Sequence, residues 1–72
     1  MQVAENLTVE TEQEEDGRWI AEIAELPGVL VYADSQQAAI GKVQALALRV
    51  IADKLEHGEI TPSLTGLTFI AA

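Results

Sequence analysis

Carboxylates are the side chains of this 72-residue chain that are most suited to chemistry, because there are twelve of them. Glu22, Asp34 and Asp53 could in principle form a two-metal nuclease site, which needs carboxylates that converge closely on the metal ions. Their spacing is not specific for such a site. Glu22 is expected on the outward face of a strand, Asp34 before a helix and Asp53 on its solvent side. We therefore predict no catalytic or metal-binding carboxylate cluster, and keep a metal-dependent nuclease only as a third hypothesis.

Nucleophilic catalysis is not indicated either, because His57 is the single histidine and the chain has no cysteine. A hydroxyl nucleophile would have to be Ser35, Ser63 or a threonine, and none lies in a nucleophile-elbow motif. His57 suits instead the negative end of a helix. The five glycines are dispersed and form no phosphate-binding loop. We expect a protein that is not an enzyme and that needs no cofactor.

The net charge of −8, with an isoelectric point near 4.2, argues against a nucleic-acid-binding protein. Contacts with phosphate depend on Lys and Arg, and only four such residues are scattered along the chain. An acidic surface attracts a basic partner by long-range electrostatics, although it also serves plain solubility. We expect a basic protein partner and no direct binding to nucleic acid.

The length predicts one domain, residues 1–72. No apolar run approaches the roughly 20 residues of a membrane span, and the N-terminus lacks the layout of a signal peptide. We therefore expect a cytoplasmic protein without a membrane partner. A hydrophobic content of 49% is more than one small core readily hides, which favours a homo-oligomer, either a dimer or a tetramer.

Three strands are predicted in the first half of the chain. Val3–Thr11 and Arg18–Ala24 alternate apolar and polar residues, and Asp16–Gly17 between them is a hairpin signal. A turn at Pro27–Gly28 leads into the third strand, Val29–Ala33. The alternation assigns Leu7, Val9, Trp19, Ala21 and Ile23 to inward faces, and Thr8, Glu10, Ile20 and Glu22 to outward faces.

One long helix follows, from Ser35 to about His57. Asp34 or Ser35 can cap it, with Gln37 three residues after Asp34 as in a capping box. At 100° per residue its apolar arc covers roughly 200°, which is wider than one sheet face usually covers. Leu46 and Leu48 lie at the two margins of this arc, and we take both as candidate oligomer contacts.

A loop follows the helix, which Gly58 ends, and a last strand is predicted at Leu67–Ala71. The element order is then β-β-β-α-β. We predict an α+β fold with a three-to-four-stranded, mostly antiparallel sheet and the long helix on one face.

The segment from Asp16 to Gly28 reads Asp-Gly-Arg-Trp-Ile-Ala-Glu-Ile-Ala-Glu-Leu-Pro-Gly, and it resembles the HicB-like antitoxin family. Tyr32 with Asp34–Ser35, and the later run from Gly58 to Pro62, are similar to further pieces of the family pattern. The resemblance implies a partial ribonuclease-H-like domain that lacks the catalytic carboxylates. Longer family members usually carry a C-terminal DNA-binding domain, and we expect this chain to be a short stand-alone domain without one. The partner implied is HicA, a small basic mRNA interferase.

Our leading prediction is a non-enzymatic, antitoxin-like protein-binding module that neutralises a basic HicA-type toxin. On acidity alone we assign the partner-binding residues, which are Glu14, Glu15, Asp16, Glu22 and Glu25. The alternative is a stand-alone homo-oligomeric regulatory domain with no toxin partner, and its contacts would be Leu46 and Leu48.

Overall fold

The computed structural model describes residues 6–59 and 67–72, which form one sheet and one helix. The elements are β1 (Asn6–Gln13), β2 (Trp19–Ile23), β3 (Leu30–Ala33), α1 (Gln36–Glu56) and β4 (Thr68–Ala71). The predicted β-β-β-α-β order and α+β class are confirmed. The first residues of the first predicted strand, 3–5, and most of the predicted loop, 60–66, lie outside the described residues.

The four strands are arranged in the order β3-β2-β1-β4. β1 and β2, and β2 and β3, are antiparallel neighbours, whereas β4 runs parallel to β1 at the other edge. The β1–β2 hairpin turns at Gly17, whose N–H donates to Glu14 O at 3.0 Å and whose φ of +91° suits a residue without Cβ. The sheet is therefore mixed but mostly antiparallel, as predicted.

The core lies between α1 and one face of the sheet. Alternation along the strands turns Leu7, Val9, Ala21 and Ile23 towards the helix, where all four are buried. The helix meets them with a row of small and branched residues four apart, which are Ala39, Val43, Ala47 and Ile51. Trp19 and Phe69 are half-buried against this core.

Hydrogen bonds at both ends of α1 define where the helix begins and ends. The Ala38 N–H donates to Ser35 Oγ at 3.1 Å, so Ser35 is the N-cap. The predicted capping box of Asp34 and Gln37 is wrong, because the third helical residue after this cap is Ala38. At the other end Gly58 has a φ of +69°, and the Glu59 N–H donates to Lys54 O at 2.8 Å as in a Schellman motif.

Replacing Ser35 by alanine tests the assignment of the N-cap. We expect Ser35→Ala to lower the free energy of unfolding by about 1 kcal/mol, because the Ala38 N–H loses its acceptor. Gln37→Ala is the matched control and should change it by far less. Urea unfolding monitored by circular dichroism measures both. A larger loss for Gln37→Ala would restore the capping box.

Gly41 is a glycine inside the helix whose added Cβ would meet no atom within 4 Å. We expect Gly41→Ala to raise the free energy of unfolding by about 0.5–1 kcal/mol, because alanine reduces the conformational entropy of the unfolded chain. Gly58→Ala should instead destabilise the protein, because its φ of +69° is unfavourable for a side chain. Thermal melts show whether each variant is stabilised or destabilised relative to wild type. A destabilising Gly41→Ala would contradict the expectation.

Candidate functional site

The face of the sheet opposite α1 is the candidate functional site, and we call it the open face. The only described helix packs on the other side, against β1, β2 and β3. Along the strands the open face comprises Thr8, Glu10, Glu12, Ile20, Glu22, Leu30, Tyr32, Thr68 and Ile70. Leu30, Tyr32 and Ile70 are 40–45% exposed, so large apolar side chains reach solvent at three positions of this face.

The strand register brings three glutamates of the open face together. Glu10 on β1 lies directly opposite Glu22 on β2, and Glu12 lies two residues further along β1, opposite Ile20. Residues that face each other in this way have Cα atoms about 5 Å apart, and like charges there are unfavourable. Ile20 and Glu22 in turn lie opposite Tyr32 and Leu30 on β3. The acidic cluster is therefore bordered by apolar side chains.

No basic side chain forms an ion pair with Glu10, Glu12 or Glu22 within the described part of the chain. The ion pairs found there are Arg18 with Asp16, and His57 with Asp53. Three of the four Lys and Arg residues are on α1, in the other layer of the fold. The cost of placing Glu10 beside Glu22 is thus left uncompensated, and a cationic partner would relieve it.

Arg18 lies at the β3 side of the open face and interacts with two groups. Its Nε is 2.8 Å from Asp16 Oδ2, and its guanidinium carbon is 4.8 Å from the centre of the Tyr32 ring. Hydrogen bonds from the Arg18 backbone and side chain hold the pKa of Asp16 below its ordinary value. The charge of Asp16 is therefore already partly compensated within the chain.

The five acidic residues predicted to bind a partner lie in three separate places. Glu14, Glu15 and Asp16 form the β1–β2 hairpin at one end of the sheet, and Glu22 is in the middle of the open face. Glu25 lies beyond β2, at the opposite end. Glu22 lies within the acidic cluster, to which the structure adds Glu10 and Glu12. The three hairpin residues adjoin the cluster, because they line one shallow depression with Glu12.

Glu25 has a structural role that the sequence did not reveal. Its carboxylate accepts hydrogen bonds from the Thr8 N–H at 2.7 Å and from Thr8 Oγ1 at 2.8 Å. The Thr8 N–H points towards β2, which has ended at Ile23, so the carboxylate replaces a strand carbonyl. These hydrogen bonds lower the pKa of Glu25 below its ordinary value of 4.5.

The lowered pKa of Glu25 makes a prediction about acid stability. A carboxyl group with a lowered folded-state pKa stabilises the fold above its unfolded pKa, and this contribution is lost as pH falls through the folded value. We expect Glu25→Gln to lower the melting temperature at pH 7, with a difference from wild type that shrinks below pH 4.5. Glu15→Gln, at an exposed hairpin position, is the control. A difference independent of pH would contradict this role.

The two predicted oligomer contacts lie on different flanks of α1. Leu48 is 49% exposed, whereas Leu46 is half-buried and packs against the core. Their spacing places them about 200° apart around the helix axis at 100° per residue. The structure therefore does not join them into one surface.

The end of α1 holds a group of potential metal ligands. Asp53, His57 and Glu59 each offer one ligand atom, these atoms lie within 4.8 Å of one another, and all three residues are exposed. His57 Nδ1 lies 2.8 Å from Asp53 O and 3.3 Å from Asp53 Oδ1. The hydrogen bond to the Asp53 backbone and the Asp53 charge raise the pKa of His57, which favours the imidazolium. Both effects suit a histidine at the negative end of a helix, where His57 is the C-cap residue.

A groove between α1 and β4 encloses about 200 Å³. Its lining comprises Val9, Thr11, Gln36, Ile40, Gln44, Phe69, Ala71 and Ala72. The Gln36 side chain donates to Thr11 Oγ1 at 3.0 Å across one wall. Drug-sized ligands usually occupy about 300–1,000 Å³, so the open face remains the stronger candidate.

The acidic cluster of Glu10, Glu12 and Glu22 is not evident from the sequence alone. Alternation had already assigned Glu10 and Glu22 to outward faces, but it does not say which residue of one strand meets which residue of the next. The hairpin signal at Asp16–Gly17 was the one feature from which the register could have been derived.

No family model, curated protein or solved structure matches this chain. The resemblance to HicB-like antitoxins therefore remains a prediction from the motifs of residues 16–63. Among the described residues, no helix is both long and apolar enough to cross a membrane.

Proposed function

We propose that this chain is a non-enzymatic protein-binding module that captures a small basic protein on the open face of its sheet. The observation that supports this most strongly is the cluster of Glu10, Glu12 and Glu22. These carboxylates form no ion pair among the described residues, and they are bordered by exposed apolar side chains. Charge would steer a basic partner, and Tyr32 and Leu30 would supply apolar contact once it is bound.

The resemblance to HicB-like antitoxins suggests which basic protein this is. In that family the partner is a HicA-type mRNA interferase, a small cationic ribonuclease that acts in the cytoplasm. An acidic, partly apolar surface could cover the cationic RNA-binding surface of such an enzyme, since both carry charges complementary to each other. Toxin neutralisation by occlusion is therefore the specific function that we propose.

The alternative is a stand-alone homo-oligomeric regulatory domain with no toxin partner. Four large apolar side chains that reach solvent favour it, namely Leu48 on α1 and Leu30, Tyr32 and Ile70 on the open face, because exposed apolar surface is suited to contact with another chain. In this case the acidic cluster would serve solubility alone.

Co-expression with the product of the neighbouring open reading frame tests the proposal. If that product is a small basic ribonuclease, we expect a stoichiometric complex on size-exclusion chromatography with light scattering, and rescue of growth from its toxicity. The matched control is the Glu10→Lys/Glu22→Lys double variant, which should remain folded and lose both effects. A toxin that does not co-purify and stays toxic would overturn the proposed function.

A further inference from the structure

The outer edge of β3 offers unpaired backbone groups. β3 has β2 on one side and no described strand on the other. The Ile23 N–H donates to Val29 O at 3.1 Å, so the backbone of every second residue from Val29 points towards β2. Leu30 and Tyr32 therefore turn their N–H and C=O groups away from the sheet. These backbone groups can form hydrogen bonds with a further strand.

This edge lacks most of the features that prevent strand addition. Natural edge strands are protected by short length, lysine, proline, bulges or inward charges. β3 is short, but its sequence Leu-Val-Tyr-Ala has no lysine, proline or inward charge. β4 forms the other edge of the sheet and lies next in sequence to residues 60–66, which the structure does not describe. We therefore consider only the edge of β3.

Apolar side chains border the β3 edge in both layers of the fold. On the open face these are Leu30 and Tyr32, which are exposed. In the helix layer, Gln36, Ile40 and Gln44 line the groove beside β4. At 100° per residue Leu46 and Val50 lie on the opposite flank of α1, towards β3. Both are half-buried against the core. A chain added at this edge would therefore meet apolar surface above and below its backbone.

The charges at this edge complement a second copy of the same chain. Arg18 lies over Tyr32 at one end of the edge, and Glu22 lies opposite Leu30 at the other end. When two identical edges meet antiparallel about a twofold axis, the Arg18 end of each faces the Glu22 end of the other. An interface with this symmetry is self-complementary, as most homodimer interfaces are.

We propose that two copies of this chain join along β3 into one continuous eight-stranded sheet, with the twofold axis at Val31. Leu30 of each copy then pairs with Tyr32 of the other, which satisfies the outward N–H and C=O groups of both residues. The open faces of the two copies become one surface. This inference does not depend on a toxin partner.

The edge of β3 alone is too small for a stable dimer interface, so α1 must also contribute to the contact. Specific complexes bury about 1,200–2,000 Å² in total, and a four-residue strand edge supplies only a fraction of that area. Leu46 and Val50 therefore belong to the proposed interface. The net charge of −8 on each copy opposes association over long distances, but this repulsion is screened beyond about 10 Å at 0.1 M salt. Added salt up to that concentration should strengthen the dimer.

Sedimentation equilibrium of the full chain tests the proposal. We expect a species of twice 7.7 kDa that dissociates on dilution. Leu30→Lys should weaken the dimer at least tenfold, because it places a lysine on the edge. Ile70→Lys is the matched control, since Ile70 is 44% exposed and Leu30 is 40% exposed on the same face, but at opposite edges. This control should remain dimeric.

Amide hydrogen exchange is a second test, and it uses the wild-type chain without any substitution. At dimer-forming concentrations the Leu30 and Tyr32 amides should become protected, whereas those of Phe69 and Ala71 on the other edge should not. A wild type that is monomeric at about 1 mM overturns the proposal. Disruption by Ile70→Lys but not by Leu30→Lys also overturns it, and assigns the contact to β4.

Discussion

Truncating Leu7 to alanine should cost about 3 kcal/mol of unfolding free energy, with a range of roughly 2–5 kcal/mol. Leu7 is fully buried, and with Val43 it is one of the two largest such side chains among the described residues. At roughly 0.05–0.15 kcal/mol per residue, a 72-residue domain has roughly 4–11 kcal/mol of stability in total. The variant should therefore lose a large share of its stability, and a measurable fraction of it should be unfolded at 37 °C.

Leu48→Ala is the matched control, because it removes the same atoms from a side chain that is 49% exposed. Its cost should stay below about 1 kcal/mol. Urea unfolding of both variants measures the difference, with one common slope of unfolding free energy against urea concentration. Similar costs for the two leucines would mean that the core between α1 and the sheet is not packed as described.

Charge reversal at Glu22 should have opposite effects on binding and on stability. Glu22→Lys removes an anion from the centre of the open face and adds a cation, so association with a basic partner should slow at least tenfold and depend less on salt. The same change converts the like-charged Glu10–Glu22 pair into an oppositely charged pair. The isolated chain should therefore gain a few tenths of a kcal/mol.

Glu56→Lys on α1 changes the net charge by the same amount in the other layer of the fold. Stopped-flow association against a small basic ribonuclease compares the two variants. Glu22→Lys should slow association much more than Glu56→Lys does. Equal effects would mean that overall charge, and not the open face, governs the encounter.

Local patterns were sufficient to predict the elements of this fold. Alternation around Leu7 and Ala21 indicated two amphipathic strands, and Asp16–Gly17 indicated their hairpin, because these signals depend only on neighbours in sequence. The same local signals do not distinguish Asp34 from Ser35 as the cap of α1. Both can accept a backbone N–H, and only the position of the first helical turn decides between them.

The candidate site was less predictable because it depends on contacts between distant residues. Glu25 was assigned to partner binding on its charge alone, yet its carboxylate binds Thr8, seventeen residues earlier. Nothing near Glu25 in the sequence signals that contact. The pairing of Glu10 with Glu22 likewise follows from the strand register, which periodicity does not specify.

The parallel pairing of β1 with β4 links the start of the described chain to its end. Asn6 pairs with Thr68, a separation of 62 residues (68 − 6), and the Ala72 N–H donates to Val9 O at 3.0 Å. During synthesis β1 therefore leaves the ribosome long before the strand that covers its flank. Until then the backbone of Leu7 and Val9 is open to other nascent chains. Loss of β4 would re-create that open flank in the folded chain, so the pairing of β1 with a strand 62 residues away protects the edge of β1 from other chains.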